Sequence, residues 1–161
     1  MNAFRLTLAQ LNPTIGDIDG NIGLMCRAAA QAHAEQAQMV VFPELSLTAY
    51  SPGDLLDEPE FIERAAAGLN TLLVASHATP GLYWVVGAPT RRSGPGKPLE
   101  NSLLVICDGA VVVRYAKQLL PTYNIFDERR HFEPGPDVAR ILRVGGMQVG
   151  FLICEDGWND A

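Results

Sequence analysis

The stretch VGFLICEDGWNDA, from Val149 to Ala161, carries an apolar run that ends at a cysteine. The run Val149 to Ile153 is typical of a buried strand, and Cys154 follows it directly. Two acids and a glycine come next, so the chain is predicted to enter a loop at this point. The loop ends of strands are where α/β sheets place their sites. From its position alone, Cys154 is therefore as consistent with a nucleophile as with an ordinary core residue.

Two other reactive side chains follow apolar runs in the same way. Glu44 comes directly after MVVFP, and Lys117 closes AVVVRYAK. A strand-end acid or lysine is most often solvated, so each residue alone is weak evidence for a site. Together with Cys154 they form a carboxylate, an ammonium and a thiol, a set that suits acyl transfer. The carboxylate can take the thiol proton, while the ammonium favours the thiolate and, like the backbone N–H after the cysteine, can stabilise an oxyanion.

The rest of the pattern predicts an α/β domain with a mixed sheet. Strands alternate with helices early in the chain, and hairpins dominate later, with turns at Asp108-Gly109 and Gly145-Gly146. Asn21 is the predicted N-cap of the first helix. The predicted strands span 4–11, 39–44, 82–89, 101–107 and 110–117, a second hairpin lies within 138–154, and helices span 21–36 and 60–77. The irregular residues 52–59 form either a lid or a simple connector.

Composition argues against several function classes. The 161 residues are 48% hydrophobic and 19% charged, and their net charge of -6 without a basic stripe argues against nucleic acid and anionic membranes as partners. No apolar run approaches the roughly 18 residues of a membrane span, and the first residues do not read as a signal peptide. The three cysteines are widely spaced, so we expect a reducing, cytoplasmic setting, with Cys26 and Cys107 in the core. Metal-ligand spacings and phosphate-binding glycine loops are absent from the sequence.

The three reactive residues lie in motifs of a known family. FPE at residues 42–44, YAKQLLP at 115–121 and GFLICEDGW at 150–158 are similar to the glutamate, lysine and cysteine motifs of the nitrilase (carbon–nitrogen hydrolase) superfamily. The opening AQLNPTIGDIDGN also resembles that family's first strand and helix start. The resemblance implies a four-layer αββα sandwich with mixed sheets. It also implies a catalytic triad of Glu44 as general base, Lys117 at the oxyanion and Cys154 as nucleophile.

A narrower resemblance covers nearly the whole chain. FPELSLTAYSPGDLL, KQLLPTYNIFDERRHFEPG and ICEDGW resemble the glutamine-hydrolysing domain of the glutamine-dependent NAD+ synthetase family. It implies that Tyr123 lines the glutamine pocket, that Phe126 shapes the same region, and that Glu128 supports the triad by orienting Lys117. The alternatives are that the aromatic residues only pack the loop and that Glu128 is a solvated ion pair with the following arginines. Asp156 is interpreted as a packing or supporting group and not as a catalytic one.

The same resemblance implies that two domains of the whole protein carry out two different reactions. This domain would hydrolyse glutamine to glutamate and ammonia without a cofactor. A separate synthetase domain would use ATP and Mg²⁺ to amidate deamido-NAD+ with that ammonia. Residues 1–161 are expected to be an incomplete hydrolase domain, apparently cut after the nucleophile strand and lacking the synthetase domain, and to be weak or inactive alone. Homo-oligomers are expected from the family.

Two other functions stay open at this point. The triad would also suit a different nitrilase-type amidase or carbamoylase that acts on another small amide, which glutamine turnover would distinguish. The chain could instead be a non-catalytic module that serves only as an interaction surface, because an uncovered C-terminal strand would be adhesive. Cooperative unfolding with a defined oligomeric state would argue against that third reading.

Overall fold

The computed structural model describes residues 4–136 and 138–158 of the chain. Two α-helices are present in this part, α1 (Ile18–Ala34) and α2 (Pro59–Ser76). The strands are β1 (Leu6–Leu8), β2 (Met39–Val41), β3 (Tyr83–Arg91), β4 (Leu99–Cys107), β5 (Ala110–Ala116), β6 (Ile141–Val144) and β7 (Met147–Gly150). Short 3₁₀ turns occupy Gly53–Asp57, Glu128–Arg130 and Cys154–Gly157.

Five of the strands form one mixed sheet in the order β1-β2-β3-β4-β5. β1, β2 and β3 run parallel, since a helix-containing crossover separates each from the next. β3, β4 and β5 are antiparallel, and β6 pairs with β7 in a separate two-stranded sheet. The predicted α/β class with a mixed sheet is confirmed.

Side chains of the large sheet alternate between two buried clusters. Trp84 and Val86 of β3 pack into the cluster that contains the apolar faces of α1 and α2. Val85, between them, points to the opposite cluster, where Val144 of the β6–β7 hairpin and Ile153 also pack. The helices therefore cover one face of the sheet, and the hairpin with the residues after it covers the other. In the described residues, the layers are helices, sheet and hairpin.

Both predicted hairpin turns are present at their predicted residues. Asp108 and Gly109 have φ of +48° and +81°, and Gly145 and Gly146 have φ of +56° and +83°. Two successive left-handed residues are what a tight I′-type hairpin turn requires, and glycine and aspartate reach that region at low cost. The turns could be predicted because their conformation depends on the two turn residues themselves and not on contacts with distant residues.

The first helix begins earlier than predicted. Its N-cap is Asp17, whose carboxylate accepts a hydrogen bond from the Gly20 N–H at 3.0 Å. Asn21, the predicted cap, is buried, and its amide donates to the carbonyl oxygens of Thr14 and Leu47. Aspartate and asparagine are equally good caps, so the sequence alone did not separate them. Asn21 instead ties the start of α1 to the loop after β2.

The strand before Cys154 is also shorter than predicted. β7 ends at Gly150, and the next three residues are extended without ladder partners. Phe151 and Ile153 are buried while Leu152 is exposed, so the alternation of a strand continues without its hydrogen bonds. Cys154 then takes a left-handed conformation with φ +45° and opens a 3₁₀ turn. It lies in this turn, not at a strand end.

Gly87 of β3 lets the loop that carries Glu44 approach the sheet closely. Its N–H donates to Ser46 Oγ at 3.3 Å, and its carbonyl accepts from the Leu47 N–H at 3.1 Å. A Cβ atom at Gly87 would lie 2.3 Å from the Leu45 nitrogen and 3.0 Å from the Pro43 oxygen. These are backbone atoms, so the whole loop would have to move.

We therefore expect Gly87→Ala to lower the free energy of unfolding by about 1–3 kcal/mol, as overpacking does. Gly150→Ala is the matched control, because a Cβ there meets nothing within 4 Å. That control should stay within about 0.5 kcal/mol of the unchanged chain. Urea unfolding followed by circular dichroism measures both, and equal stability of the two variants would contradict the close approach.

Candidate active site

Lys117 is the centre of a buried charge cluster at the end of β5. Its side chain has no exposed area, and its Nζ donates to Glu44 Oε1 at 2.8 Å and to Glu128 Oε1 at 2.6 Å. Burial acts to lower the pKa of this ammonium, but the hydrogen bonds and charges of the two carboxylates outweigh it and raise the pKa. Lys117 is therefore a cation, and the cluster carries one net negative charge.

Glu44 reaches the cluster from the loop after β2. Phe42 continues the direction of β2 and donates its N–H to Val85 at 3.0 Å. Pro43 then ends the pairing, and Leu45 turns the chain through a left-handed residue with φ +49°. The Glu44 side chain stays mostly buried, with 18% exposed. The sequence prediction that Glu44 follows a buried strand agrees with this geometry.

Glu128 reaches the cluster from the 3₁₀ turn Glu128–Arg130. It is 4% exposed, and its second contact is the Tyr50 hydroxyl, which donates to Oε1 at 2.9 Å. The alternative interpretation, a solvated ion pair with Arg129 and Arg130, is wrong because the carboxylate is buried against Lys117. Burial, followed by the hydrogen bond to Glu128, raises the pKa of Tyr50, so this hydroxyl stays protonated.

Asn101 and Tyr50 are the residues of the cluster that the sequence analysis missed. Asn101 Nδ2 donates to Glu44 Oε1 at 2.7 Å and to Glu128 Oε2 at 3.3 Å, so it links the two carboxylates. Its backbone carbonyl also accepts the Lys117 N–H at 2.9 Å. A polar residue within the apolar strand ENSLLVIC was the available signal. Tyr50 gave none, because it lies in an irregular loop.

Cys154 and Glu44 line one cavity of about 120 Å³, to which Asn101 and Gly87 also contribute. Cys154 is exposed. Cys107 is buried, as predicted, whereas Cys26 is only half-buried and packs at the edge of the core. Partial desolvation raises the pKa of the Cys154 thiol most, and the Glu44 carboxylate raises it next. Lys117 lowers that pKa, but Glu128 and a hydrogen bond to Glu44 add to the increase. The expectation that the ammonium favours the thiolate is therefore outweighed, and the resting group is a thiol.

The two aromatic residues predicted for the substrate pocket lie together beside this turn. Tyr123 is half exposed, and its hydroxyl donates to Glu155 Oε2 at 2.7 Å. Its ring meets Phe126 edge-on with centroids 5.6 Å apart, and Phe126 in turn contacts Tyr50 at 6.2 Å. This aromatic row joins the Cys154 turn to the loop that carries Tyr50. Tyr50 thus brings the loop that precedes residues 52–59 onto the site.

A second polar cluster lies on the outer side of that loop. Possible metal-ligand atoms of Asp54, Asp57 and His131 lie within 4.8 Å of one another. His131 Nδ1 is 3.1 Å from Asp57 Oδ1, and Arg130 pairs with Asp54 at 2.9 Å. The arginine supplies a cation to these exposed acids. The sequence prediction that no metal is required stays a prediction.

The sequence of the chain matches a family model over residues 5–161, and the description of that family is carbon-nitrogen hydrolase. The chain belongs to this family. The carbon–nitrogen hydrolases are enzymes, and the nitrilase resemblance of the sequence is thereby confirmed. The matched range includes the segments that carry Glu44, Lys117 and Cys154.

Similar curated proteins are glutamine-dependent NAD(+) synthetases. The protein of Synechocystis sp. is 40% identical over 162 residues, which is 98% of this chain and 28% of that protein. The protein of Xylella fastidiosa is 38% identical over 156 residues, which is 96% of this chain and 28% of that protein. This chain thus spans less than a third of the length of the relatives that it matches.

Solved structures of this family share the fold. The glutamine-dependent NAD+ synthetase of Acinetobacter baumannii, in complex with ADP, superposes with a TM-score of 0.86 at 33% identity, covering 98% of this chain and 29% of that one. An amidase from Nesterenkonia sp. superposes with a TM-score of 0.82 at 26% identity, covering 94% of this chain and 56% of that one. The nitrilase-type fold is therefore confirmed. Neither described helix is long and apolar enough to cross a membrane.

Replacing the buried lysine tests the charge cluster directly. Lys117→Met should lower the free energy of unfolding at pH 7 by about 3–5 kcal/mol, because it leaves two buried carboxylates facing each other without a cation. Chemical denaturation at pH 7 measures this loss.

Lys97→Met provides the matched control, because Lys97 is exposed on a loop. That variant should change the free energy of unfolding by less than about 0.5 kcal/mol. A Lys117→Met variant as stable as Lys97→Met would show that the buried ion pairs do not hold the cluster together.

Proposed function

We propose that residues 1–161 carry the site at which the whole protein hydrolyses the side-chain amide of glutamine, with Cys154 as nucleophile, Glu44 as general base and Lys117 as the oxyanion-stabilising cation. The observation that carries the proposal is the cavity shared by the Cys154 thiol and Glu44, whose carboxylate binds the buried Lys117 ammonium. A protonated thiol next to a carboxylate suits general-base activation, in which the proton leaves as the sulfur attacks.

The reaction divides into acylation and hydrolysis. Cys154 Sγ attacks the carboxamide carbon while Glu44 takes the thiol proton, and Lys117 with the Glu155 N–H stabilises the oxyanion. The carbon–nitrogen bond then breaks, and Glu44 returns its proton to the departing ammonia. A water molecule that Glu44 deprotonates then attacks the carbon of the γ-glutamyl thioester. The carbon–sulfur bond breaks to release glutamate, and Glu44 returns the proton to the Cys154 sulfur. Glu128 is the supporting residue that orients Lys117, which its 2.6 Å contact favours.

Glutamine is proposed as the substrate because the similar curated proteins are named for glutamine-dependent NAD+ synthesis. We assign residues 1–161 to the amide-hydrolysing domain of such an enzyme. The ammonia would pass to a synthetase domain that amidates deamido-NAD+ with ATP and Mg²⁺. Tyr123 is proposed to contact the glutamine, since its ring lies beside the Cys154 turn, and Phe126 to support that ring.

A second candidate is hydrolysis of a smaller amide. The similarity to the Nesterenkonia amidase favours it, since variants of that enzyme bind acrylamide and the acetamide group of fluoroacetamide covalently at the active site cysteine. Both candidates use the same chemistry at the cysteine. They differ only in what occupies the pocket beyond the carboxamide, so the choice of substrate separates them.

Covalent labelling with a diazo-ketone analogue of glutamine tests the proposal. We expect a single adduct on the Cys154 peptide, because the analogue places its electrophilic carbon where the carboxamide carbon would lie. Excess glutamine should block the adduct. Intact mass and peptide mapping identify the labelled residue. Cys154→Ala should give no adduct, and Cys26→Ala, the matched control in α1, should be labelled like the unchanged chain.

The pattern of protection decides between the candidates. Protection by glutamine supports the proposed substrate. An adduct that acetamide blocks and glutamine does not would favour the small-amide alternative. If the folded chain gives no adduct at Cys154, the glutamine proposal for these 161 residues is wrong.

A further inference from the structure

The carboxylate of Asp156 accepts four hydrogen bonds from two parts of the site. Oδ1 accepts the backbone N–H groups of Gln118 and Leu119 at 3.1 and 2.8 Å. Oδ2 accepts the Tyr115 hydroxyl at 2.6 Å and the Ile153 N–H at 3.1 Å. A carboxylate has only acceptor sites, and all four partners here are donors, so the residue type matches its surroundings.

These bonds join the nucleophile turn to the segment that carries the lysine. Ile153 directly precedes Cys154, whereas Tyr115 and Gln118 flank Lys117 on its two sides. Asp156 therefore ties the backbone before the thiol to the backbone after the ammonium and to the Tyr115 side chain before it. Tyr115 is itself buried in the sheet, so its hydroxyl is a rigid partner.

The turn needs this support because its first residue is strained. Cys154 has φ +45°, a region that residues with a Cβ atom visit rarely and at a cost. Around it, the Asp156 N–H bonds the Ile153 carbonyl at 3.1 Å, and the Asp156 carboxylate bonds the Ile153 N–H. Asp156 thus closes the turn with its backbone and anchors it with its side chain. The other side-chain anchor described for this turn, Glu155, bonds an exposed tyrosine.

We propose that Asp156 is a positioning residue that holds the Cys154 thiol beside Glu44 and Lys117. It acts through the turn and touches neither the substrate nor the thiol. This inference rests on the proposed nucleophilic role of Cys154. Its test, however, measures only the reactivity of the thiol. That reactivity depends on the nearby charges of Glu44, Lys117 and Glu128, and these charges act on the thiol only at close range.

The experiment is a double-mutant cycle of Asp156→Asn and Glu44→Gln, read as the rate at which iodoacetamide alkylates the Cys154 peptide at pH 7.5. In the unchanged chain, Glu44→Gln should raise the rate at least about threefold, because removal of the carboxylate favours the thiolate. An asparagine side chain has the shape of the Asp156 side chain, but its NH₂ group would face hydrogen-bond donors that the carboxylate accepts. In the Asp156→Asn background the thiol is released from Glu44, so Glu44→Gln should change the rate by less than roughly 1.5-fold.

Asp108→Asn is the matched control. Asp108 also accepts a backbone N–H, that of Gly81 at 3.0 Å, but it lies in the β4–β5 turn, at the end of β5 away from Lys117. In that background the Glu44→Gln effect should be unchanged. Circular dichroism confirms folding of each variant. If Asp156→Asn is unfolded at the assay temperature, the cycle with Tyr115→Phe, which removes one of the four bonds, decides in its place. A reduced Glu44 effect there supports the inference.

The inference is overturned if Glu44→Gln changes the alkylation rate equally in the unchanged chain and in the folded Asp156→Asn chain. Where the Tyr115→Phe cycle is used in its place, an equal effect of Glu44→Gln with and without Tyr115→Phe overturns it. A purely structural role would lower stability without changing this coupling. None of these rates requires glutamine. If the glutamine analogue fails to label Cys154 but Asp156→Asn reduces the Glu44→Gln effect, only the proposed function is refuted. If the analogue labels Cys154 but the Glu44→Gln effect is unchanged by Asp156→Asn, only the role of Asp156 is refuted.

Discussion

The buried ammonium of Lys117 is the interaction on which the site depends. A cation without exposed area is costly unless carboxylates surround it, and here Glu44 and Glu128 lie 2.8 and 2.6 Å from Nζ. The three residues come from the loop after β2, the end of β5 and a separate 3₁₀ turn. These segments must converge for the ammonium to be paired, so the site exists only when these loops are folded.

The charge of this cluster also determines how the thiol is activated. Two carboxylates against one ammonium leave a negative surplus, which acts with desolvation to raise the pKa of Cys154. A preformed thiolate is therefore disfavoured, so in the proposed reaction the base acts during the attack. Glu44 suits that proposed role because it lines the cavity with Cys154 and is held by Lys117 and Asn101. The lysine thus orients the proposed base.

Local features of the fold were predictable from the sequence, and those that depend on distant contacts were not. The hairpin turns at Asp108-Gly109 and Gly145-Gly146 were predicted correctly because their left-handed residues are encoded in two adjacent positions. The cap of α1 was wrong because the role of Asn21 depends on Leu47, which lies in another segment. The end of β7 was wrong because burial alternates beyond the last hydrogen-bonded pair.

The candidate site shows the same division. Glu44, Lys117 and Cys154 were found because each follows an apolar run within a family motif, and their catalytic roles stay proposals. Asn101 was missed because only convergence of the two glutamates reveals a use for a buried amide. Asp156 was interpreted as a packing or supporting group, and its four bonds could not be inferred before the lysine segment and the cysteine turn were seen to meet.

The most direct test of the central claim is capture of the acyl intermediate on Cys154. The chain is mixed with glutamine, quenched in acid within one turnover, and mapped by peptide mass. A γ-glutamyl group on the Cys154 peptide, absent from Cys154→Ala and strongly reduced in Glu44→Gln, is the predicted result. Release of ammonia from glutamine by the Cys154→Ala chain at the rate of the unchanged chain would contradict the claim that Cys154 is the nucleophile.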